Sequence, residues 1–112
     1  MLSEVYSDKI CKRSTFRRRL NLCEDIAGTQ PTNLTGCSLE GFVAREFNST
    51  SPIALSIVID NDRTTGQAYF SLSSSQITAL EIYPTYRLWV VVIYPSGDRE
   101  VVLESDDVAV IP

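Results

Sequence analysis

The sequence predicts an all-β protein: an immunoglobulin-like antiparallel β-sandwich of about seven strands, with one short helix near residues 74–80. Short segments alternate between apolar and polar residues, which is the pattern of a strand with one buried face. They recur every 10 to 15 residues and are separated by Gly, Pro, Asn and Asp, as is typical of antiparallel sandwiches. The chain has 112 residues, which is enough to bury a core within one domain.

The predicted strands are, in chain order, residues 14–22, 37–45, 53–59, 68–72, 86–94, 99–104 and 108–112. Residues 1–13 are predicted to form an irregular or weakly extended arm, so that the β-sandwich domain comprises residues 14–112. Arg18 interrupts the apolar face of the first strand, and we expect it to lie near the strand end, to snorkel or to pair with an acid. Gly41 lies inside the second strand and predicts a bulge or a close backbone approach.

Turn chemistry predicts the connections. Phe47–Pro52 turns the chain, and Asp60–Gly66 is a polar hairpin loop whose glycine can adopt a positive φ. This loop is acidic, but it lacks Gly and Glu at the positions that a calcium-binding EF-hand requires, so we interpret it as a plain turn. Ser73 followed by Gln76 resembles a capped helix start and predicts the short helix.

The strand at residues 86–94 is apolar on both faces. Leu88, Val90 and Val92 share one face, whereas Trp89 and Val91 lie on the other. Since strands of this kind are buried on both sides, we expect it to be central in its sheet and covered on both faces.

The net charge of −4 is unevenly distributed. Residues 1–19 carry six basic and two acidic groups, whereas the remaining residues carry four basic and twelve acidic groups. A basic segment such as residues 1–19 can bind nucleic acid, or it can bind an acidic surface of the same or a neighbouring protein. Because the segment is short and belongs to an acidic protein, we favour the acidic surface and expect no nucleic-acid partner. The predicted docking residues are Lys9, Lys12, Arg13, Arg17 and Arg19.

The sequence offers little chemistry for catalysis. It contains no His, which excludes Ser-His and Cys-His nucleophile pairs. A glycosidase-like pair of carboxylates would have to come from predicted turns, where acids are usually solvated. The three cysteines are odd in number and lack CxxC spacing, so we interpret them as free thiols of a reducing cytoplasm. We expect no enzyme, no metal or other cofactor and no membrane-spanning segment.

A carbohydrate-binding module is the alternative interpretation. Aromatic rings exposed on one face would form a platform for sugars, whereas buried rings would be cross-strand packing. The candidate rings are Tyr69, Tyr83, Tyr86, Trp89 and Tyr94.

Residues 14–112 resemble small domains that are common in tail-fibre and baseplate genes of bacteriophages and prophages. The segments that carry the resemblance are Phe16 to Leu22, Leu34-Thr35-Gly36, Leu39 to Arg45, Ile57 to Gly66, Phe70 to Leu80, Tyr86 to Trp89, Pro95-Ser96-Gly97 and Val108 to Pro112. Those domains are immunoglobulin-like β-sandwiches, similar to the N-terminal domain of baseplate proteins that attach fibres or receptor-binding modules.

The resemblance implies a structural component of a phage tail, a baseplate or tail-fibre connector or accessory protein that acts by oligomerisation and docking. It implies a homo-oligomer, with other tail, baseplate or fibre proteins as partners. It also implies a place in the virion tail after assembly in the host bacterial cytoplasm. We expect the arm 1–13 to dock by adding main-chain hydrogen bonds to a neighbour's strand edge. Deleting it should then leave a folded domain that no longer co-assembles.

Overall fold

Two β-sheets dominate the computed structural model, which describes residues 4–25, 27–46 and 51–112. One α-helix, α1 (Ser74–Ala79), and one turn of 3-10 helix, Arg63–Thr65, complete the regular structure of these residues. The strands are β1 Glu4–Cys11, β2 Phe16–Asn21, β3 Ser38–Ala44, β4 Ile53–Ala54, β5 Ser56–Ile59, β6 Gln67–Leu72, β7 Tyr83–Ile93 and β8 Arg99–Ile111. The predicted all-β class with a helix near residues 74–80 is confirmed.

The five-stranded sheet has the order β1-β8-β7-β3-β4, and the three-stranded sheet has the order β2-β6-β5. Both sheets contribute to one hydrophobic core, which includes Phe16 and Phe70 from the smaller sheet and Leu88 and Val90 from the larger. Neighbouring strands run antiparallel except β1 and β8, which are parallel. The antiparallel pairing predicted for residues 14–112 holds for their described strands, and the parallel pair involves β1, which lies outside that range.

The structure differs from the predicted arm at residues 1–13. Over Glu4–Cys11 this segment is a strand of the larger sheet, and Ile10 is fully buried in the core. The sequence pattern hides the strand because Asp8, which alternates with Ile10 and Tyr6, puts a carboxylate on the inner side. Deleting residues 1–13 would therefore remove part of the core, so it does not separate docking from folding.

The single strand predicted over residues 53–59 is two strands. β4 pairs with β3 and β5 pairs with β6, so the chain passes from one sheet to the other at Leu55. The Leu55 side chain is buried, and its N–H donates to the Gly41 carbonyl at 2.8 Å. A Cβ on Gly41 would lie 2.7 Å from Leu55 Cδ1, so at the position where the sequence predicts a bulge or a close backbone approach the glycine makes room for a side chain.

β7 is central, between β8 and β3, as predicted. The last two predicted strands, residues 99–104 and 108–112, are one continuous strand, β8. Ser105, Asp106 and Asp107 continue this strand instead of forming a turn. The pairing of β7 with β8 shifts register there. The buried Ser105 hydroxyl accepts from the Asp107 N–H at 3.0 Å, which provides a partner for a polar group inside the strand.

The predicted helix cap is confirmed. The Ser73 hydroxyl accepts from the Gln76 N–H at 3.2 Å, and the Gln76 side chain accepts from the Ser73 N–H at 2.8 Å. In the loop at residues 60–66, Asp62 caps the 3-10 turn and Gly66 has φ 67°, as a plain turn requires. The predicted turn at residues 47–52 lies largely outside the described residues. Within the described ranges no helix combines the length and apolar character that crossing a membrane requires.

Candidate interaction surfaces

The outer face of the three-stranded sheet carries an arginine–tyrosine cluster. β2 alternates strictly, so that Phe16 and Leu20 are buried while Arg17 and Arg19 are exposed. The Arg17 guanidinium lies 4.2 Å from the centre of the Tyr69 ring on β6, and the Arg19 guanidinium lies 6.0 Å from it. Val58 on β5 pairs with Tyr69 in the sheet and is 66% exposed. The arginine–tyrosine face is defined as Arg17, Arg19, Tyr69 and Val58.

This face is positively charged. The three strands of its sheet contain three Arg and no Asp or Glu. Arg19 also bonds the side-chain oxygen of Gln67, and the Tyr69 ring restrains both guanidinium groups by cation–π contacts. Guanidinium groups match carboxylates through paired N–H donors, so the arrangement is suited to an acidic protein surface.

The structure brings two of the five predicted docking residues together. Arg17 and Arg19 belong to the arginine–tyrosine face, whereas Lys9 is exposed on β1 of the other sheet and Arg13 is exposed in the turn after it. The Lys12 ammonium donates to the carbonyls of Thr78 and Leu80, at the C-terminal end of α1. Lys12 thus binds its own domain, and the docking role of the set stays a prediction.

An ion pair lies where β1 of one sheet approaches β2 of the other. Arg18 Nε and Nη2 donate to the Asp8 carboxylate at 2.9 and 2.8 Å, and the guanidinium lies 4.4 Å from the centre of the Phe16 ring. The hydrogen bonds to Asp8 raise the pKa of Arg18, although burial opposes this shift. The expectation that Arg18 pairs with an acid is confirmed.

A cleft of about 330 Å³ opens beside this ion pair, lined on one side by Tyr6. The Tyr6 hydroxyl is buried, and among the described residues it has no hydrogen-bond partner. Burial raises the pKa of Tyr6, and the nearby negative charge of Asp8 raises it further. The cleft is therefore lined partly by a polar group that is costly to bury.

The outer face of the five-stranded sheet is partly apolar. Phe42 and Trp89 pair across β3 and β7 with ring centres 5.6 Å apart, and Arg99 reaches over β7 to Glu40 at 2.9 Å. Trp89 is half-buried and Val101 is 41% exposed. The expectation that β7 is covered on both faces is thus met on the core side and only partly on the outer side.

The candidate sugar-binding rings do not share a platform. Tyr69 lies on the outer face of the smaller sheet, and Trp89 lies on the opposite side of the molecule. Tyr86 is buried, with its hydroxyl bonded to the Glu81 backbone. Tyr94 is half-buried and donates to Glu100 at 3.0 Å; burial, followed by this bond, raises its pKa to about 12. The side chain of Tyr83 lies outside the described part of the structure.

The three cysteines are free thiols, as predicted, with Cys37 buried and the other two half-buried. In residues 4–25, 27–46 and 51–112 no group of three or more His, Cys, Asp or Glu is placed to hold a metal ion.

Sequence reasoning placed Arg17 and Arg19 on an exposed face but missed what lies beside them. Tyr69 and Val58 join the two arginines through the register of β2, β6 and β5. The available signal is Val58 itself, an apolar residue at a position where the alternation of β5 calls for a polar one. No protein-family model and no curated protein matches the chain.

Proposed function

We propose that the protein is a structural component of a phage tail, a connector of baseplate or fibre proteins that acts by oligomerisation and docking. The phage-tail assignment is supported by the resemblance of residues 14–112. The docking role rests on one observation above all: two exposed arginines flank a tyrosine on a sheet without acidic residues.

The strand order supports an immunoglobulin-like domain. In that fold strands B, E and D form one sheet, and strands G, F and C form the other, extended by C′ in variable-type domains. If β2 to β8 are labelled B, C, C′, D, E, F and G, both sheets are reproduced, and β1 joins the larger one beside G.

Tyr86 supports the same fold. In immunoglobulin domains a tyrosine near the start of strand F bonds the backbone just upstream, two residues before a cysteine. Tyr86 lies at the corresponding place in β7, where its hydroxyl accepts from the Glu81 N–H at 3.2 Å and donates to the Glu81 carbonyl at 3.3 Å. Two residues later Leu88, which is fully buried, takes the place of the cysteine. A hydrophobic residue here fits a protein that assembles in a reducing cytoplasm.

The arginine–tyrosine face is proposed to dock onto an acidic surface of a neighbouring tail protein. Arg and Tyr are the residue types that contribute most at protein interfaces, since they bury a large area and keep directional donors. Val58 supplies an exposed apolar contact next to them. Because the face is charged and open to solvent, added salt should weaken its binding.

Charge reversal tests this proposal. The purified protein is mixed with the products of neighbouring genes, and the masses of the complexes are measured by light scattering. We expect a complex with at least one product, and its loss in the double variant Arg17→Glu/Arg19→Glu. The matched variant Lys9→Glu/Arg13→Glu makes the same change in net charge at two predicted docking residues outside the face, and because this proposal confines docking to the face, it should still bind. Absence of binding to every neighbouring product, or equal binding by both double variants, would contradict the proposal.

A further inference from the structure

The edge strands of the two sheets differ in their protection from pairing with another chain. In the described part of the protein these edges are β1, β4, β2 and β5. Charged residues, proline and short length protect an edge strand. β1 contains Asp8 and Lys9, β2 contains three arginines, and β4 has two residues and follows Pro52. β5, with the sequence Ser-Ile-Val-Ile, has neither a charge nor a proline.

On β1 the protective groups also occupy the backbone. The Asp8 carboxylate accepts from the Lys9 N–H at 2.8 Å, and Arg18 donates to the Lys9 carbonyl at 3.3 Å. No described strand pairs with the side of β5 that faces away from β6. Val58, in the middle of β5, is the most exposed large hydrophobic side chain of the described residues.

The register of β5 identifies its open hydrogen-bonding groups. The Asp60 N–H donates to the Gln67 carbonyl at 2.9 Å, so Asp60 and Gln67 form a hydrogen-bonded pair. Because such pairs alternate along antiparallel strands, Val58 also exchanges its bonds with β6. The N–H and C=O groups of Ile57 and Ile59 therefore point away from the sheet.

We propose that β5 pairs antiparallel with β5 of a second copy of this chain. A two-fold axis at Val58 places Ile57 opposite Ile59 of the other copy, and all four open groups of each strand then find partners. The two Val58 side chains meet in the non-hydrogen-bonded pair, where side chains are closest. Asp60 faces Ser56 rather than its own counterpart, so no like charges meet.

The second copy is the occupant that these features favour, because the strand is uncharged and complementary to itself. Pairing would join the two smaller sheets into one of six strands, in the order β2-β6-β5-β5-β6-β2. Two arginine–tyrosine faces would then lie on one side of a continuous sheet. This deepens the proposed function, on which it rests for its role in the tail, since two linked faces bind a repetitive partner more tightly than one.

Two substitutions test the pairing in the protein alone. Val58→Lys puts like charges opposite each other at the centre of the pair. The matched control Val101→Lys changes an exposed valine of the other sheet. Masses are measured by sedimentation over a range of protein concentrations, and folding is checked by circular dichroism. We expect dimers of the wild type and of Val101→Lys, and loss of the dimer in Val58→Lys. A monomeric wild type, or an undiminished dimer of folded Val58→Lys, would overturn the proposal.

A disulfide trap tests the register and does not depend on the folding of Val58→Lys. Under mild oxidation Val58→Cys should form a covalent dimer, because the paired Cα atoms lie within disulfide range. The wild type measures the background from the native cysteines, and Val101→Cys, which adds an exposed thiol elsewhere, should not exceed it. Equal crosslinking in both variants would overturn the register.

Hydrogen exchange of the Ile57 and Ile59 amides distinguishes a second copy from another partner. If the chain is monomeric alone and these amides become protected from exchange only when a tail protein is added, β5 binds that partner and the self-pairing is wrong. The variant Arg17→Glu/Arg19→Glu should lose partner binding and still form the dimer. The docking role and the self-pairing of β5 can therefore fail independently of each other.

Discussion

β1 and β5 are both edge strands, but the chain uses them in opposite ways. β1 turns one charged residue inward: Asp8 binds Arg18 of the facing sheet and the adjacent backbone, while Ile10 is buried. β5 turns an apolar residue outward, since Val58 is 66% exposed beside open backbone groups. The charged strand β1 thus binds within its own domain, whereas the uncharged strand β5 is left available for pairing with another chain. The face of the sheet on which a side chain lies, more than its polarity, determines whether the strand binds its own domain or stays available for pairing.

The largest effect is expected from truncating one side chain on each of the two strands. Ile10→Ala removes a fully buried side chain and should lower the free energy of unfolding by about 2–5 kcal/mol. Val58→Ala removes an exposed one and should change the stability of the monomer by less than about 0.5 kcal/mol. Urea unfolding of both variants, at a concentration where the protein is monomeric, measures the difference. Equal losses would show that β1 is not part of the core.

The ion pair of β1 provides an intermediate effect. Asp8→Ala leaves Arg18 without its carboxylate partner and should lower the free energy of unfolding by about 1–2 kcal/mol, since bonds to charged groups contribute more than neutral ones. The control Glu40→Ala breaks the pair with Arg99, in which both side chains are about half exposed, and should cost less than about 1 kcal/mol. Chemical unfolding measures both variants, and a larger loss in Glu40→Ala would contradict the closing role of Asp8.

The smallest expected effect is a change in stability at alkaline pH, caused by the ionisation of Tyr6. The folded-state pKa of Tyr6 is raised above its ordinary value of 10.0, so above pH 10 the unfolded chain loses a proton that the folded chain keeps. Stability should therefore fall as pH rises beyond 10, and Tyr94 contributes in the same direction up to about pH 12. Tyr6→Phe should flatten this fall and leave stability at pH 7 within about 1 kcal/mol, because the lost hydroxyl had no partner. Thermal unfolding at several pH values measures the effect, and an unchanged alkaline profile would refute it.

The sequence predicted the elements whose signals are local. The helix cap at Ser73 and the central place of β7 follow from residues close together in the chain. The division between β4 and β5 was missed because apolar residues continue to alternate through Leu55 while the chain changes sheets. β1 was missed because the partner of Asp8 lies ten residues away on another strand.

The interaction surfaces were predictable only in part for a related reason. Alternation along β2 is enough to place Arg17 and Arg19 on an exposed face. Tyr69 joins them by the register between strands, which depends on how the loops and the core fit together. The open edge of β5 depends on the order of strands in the sheet, and no single segment of the sequence encodes that order.

The parallel pairing of β1 with β8 has a mechanical consequence. Their pairing extends from Glu4 beside Leu103 to Cys11 beside Ile111, with one register shift between Val5 and Ser7. Tension applied to the chain before β1 and after β8 pulls the two strands past each other along their common direction. The hydrogen bonds between them then carry the load together in shear, instead of opening one after another as in a peeled hairpin. The chain is thereby clamped at its two ends and transmits a pull through the domain before any inner strand is loaded.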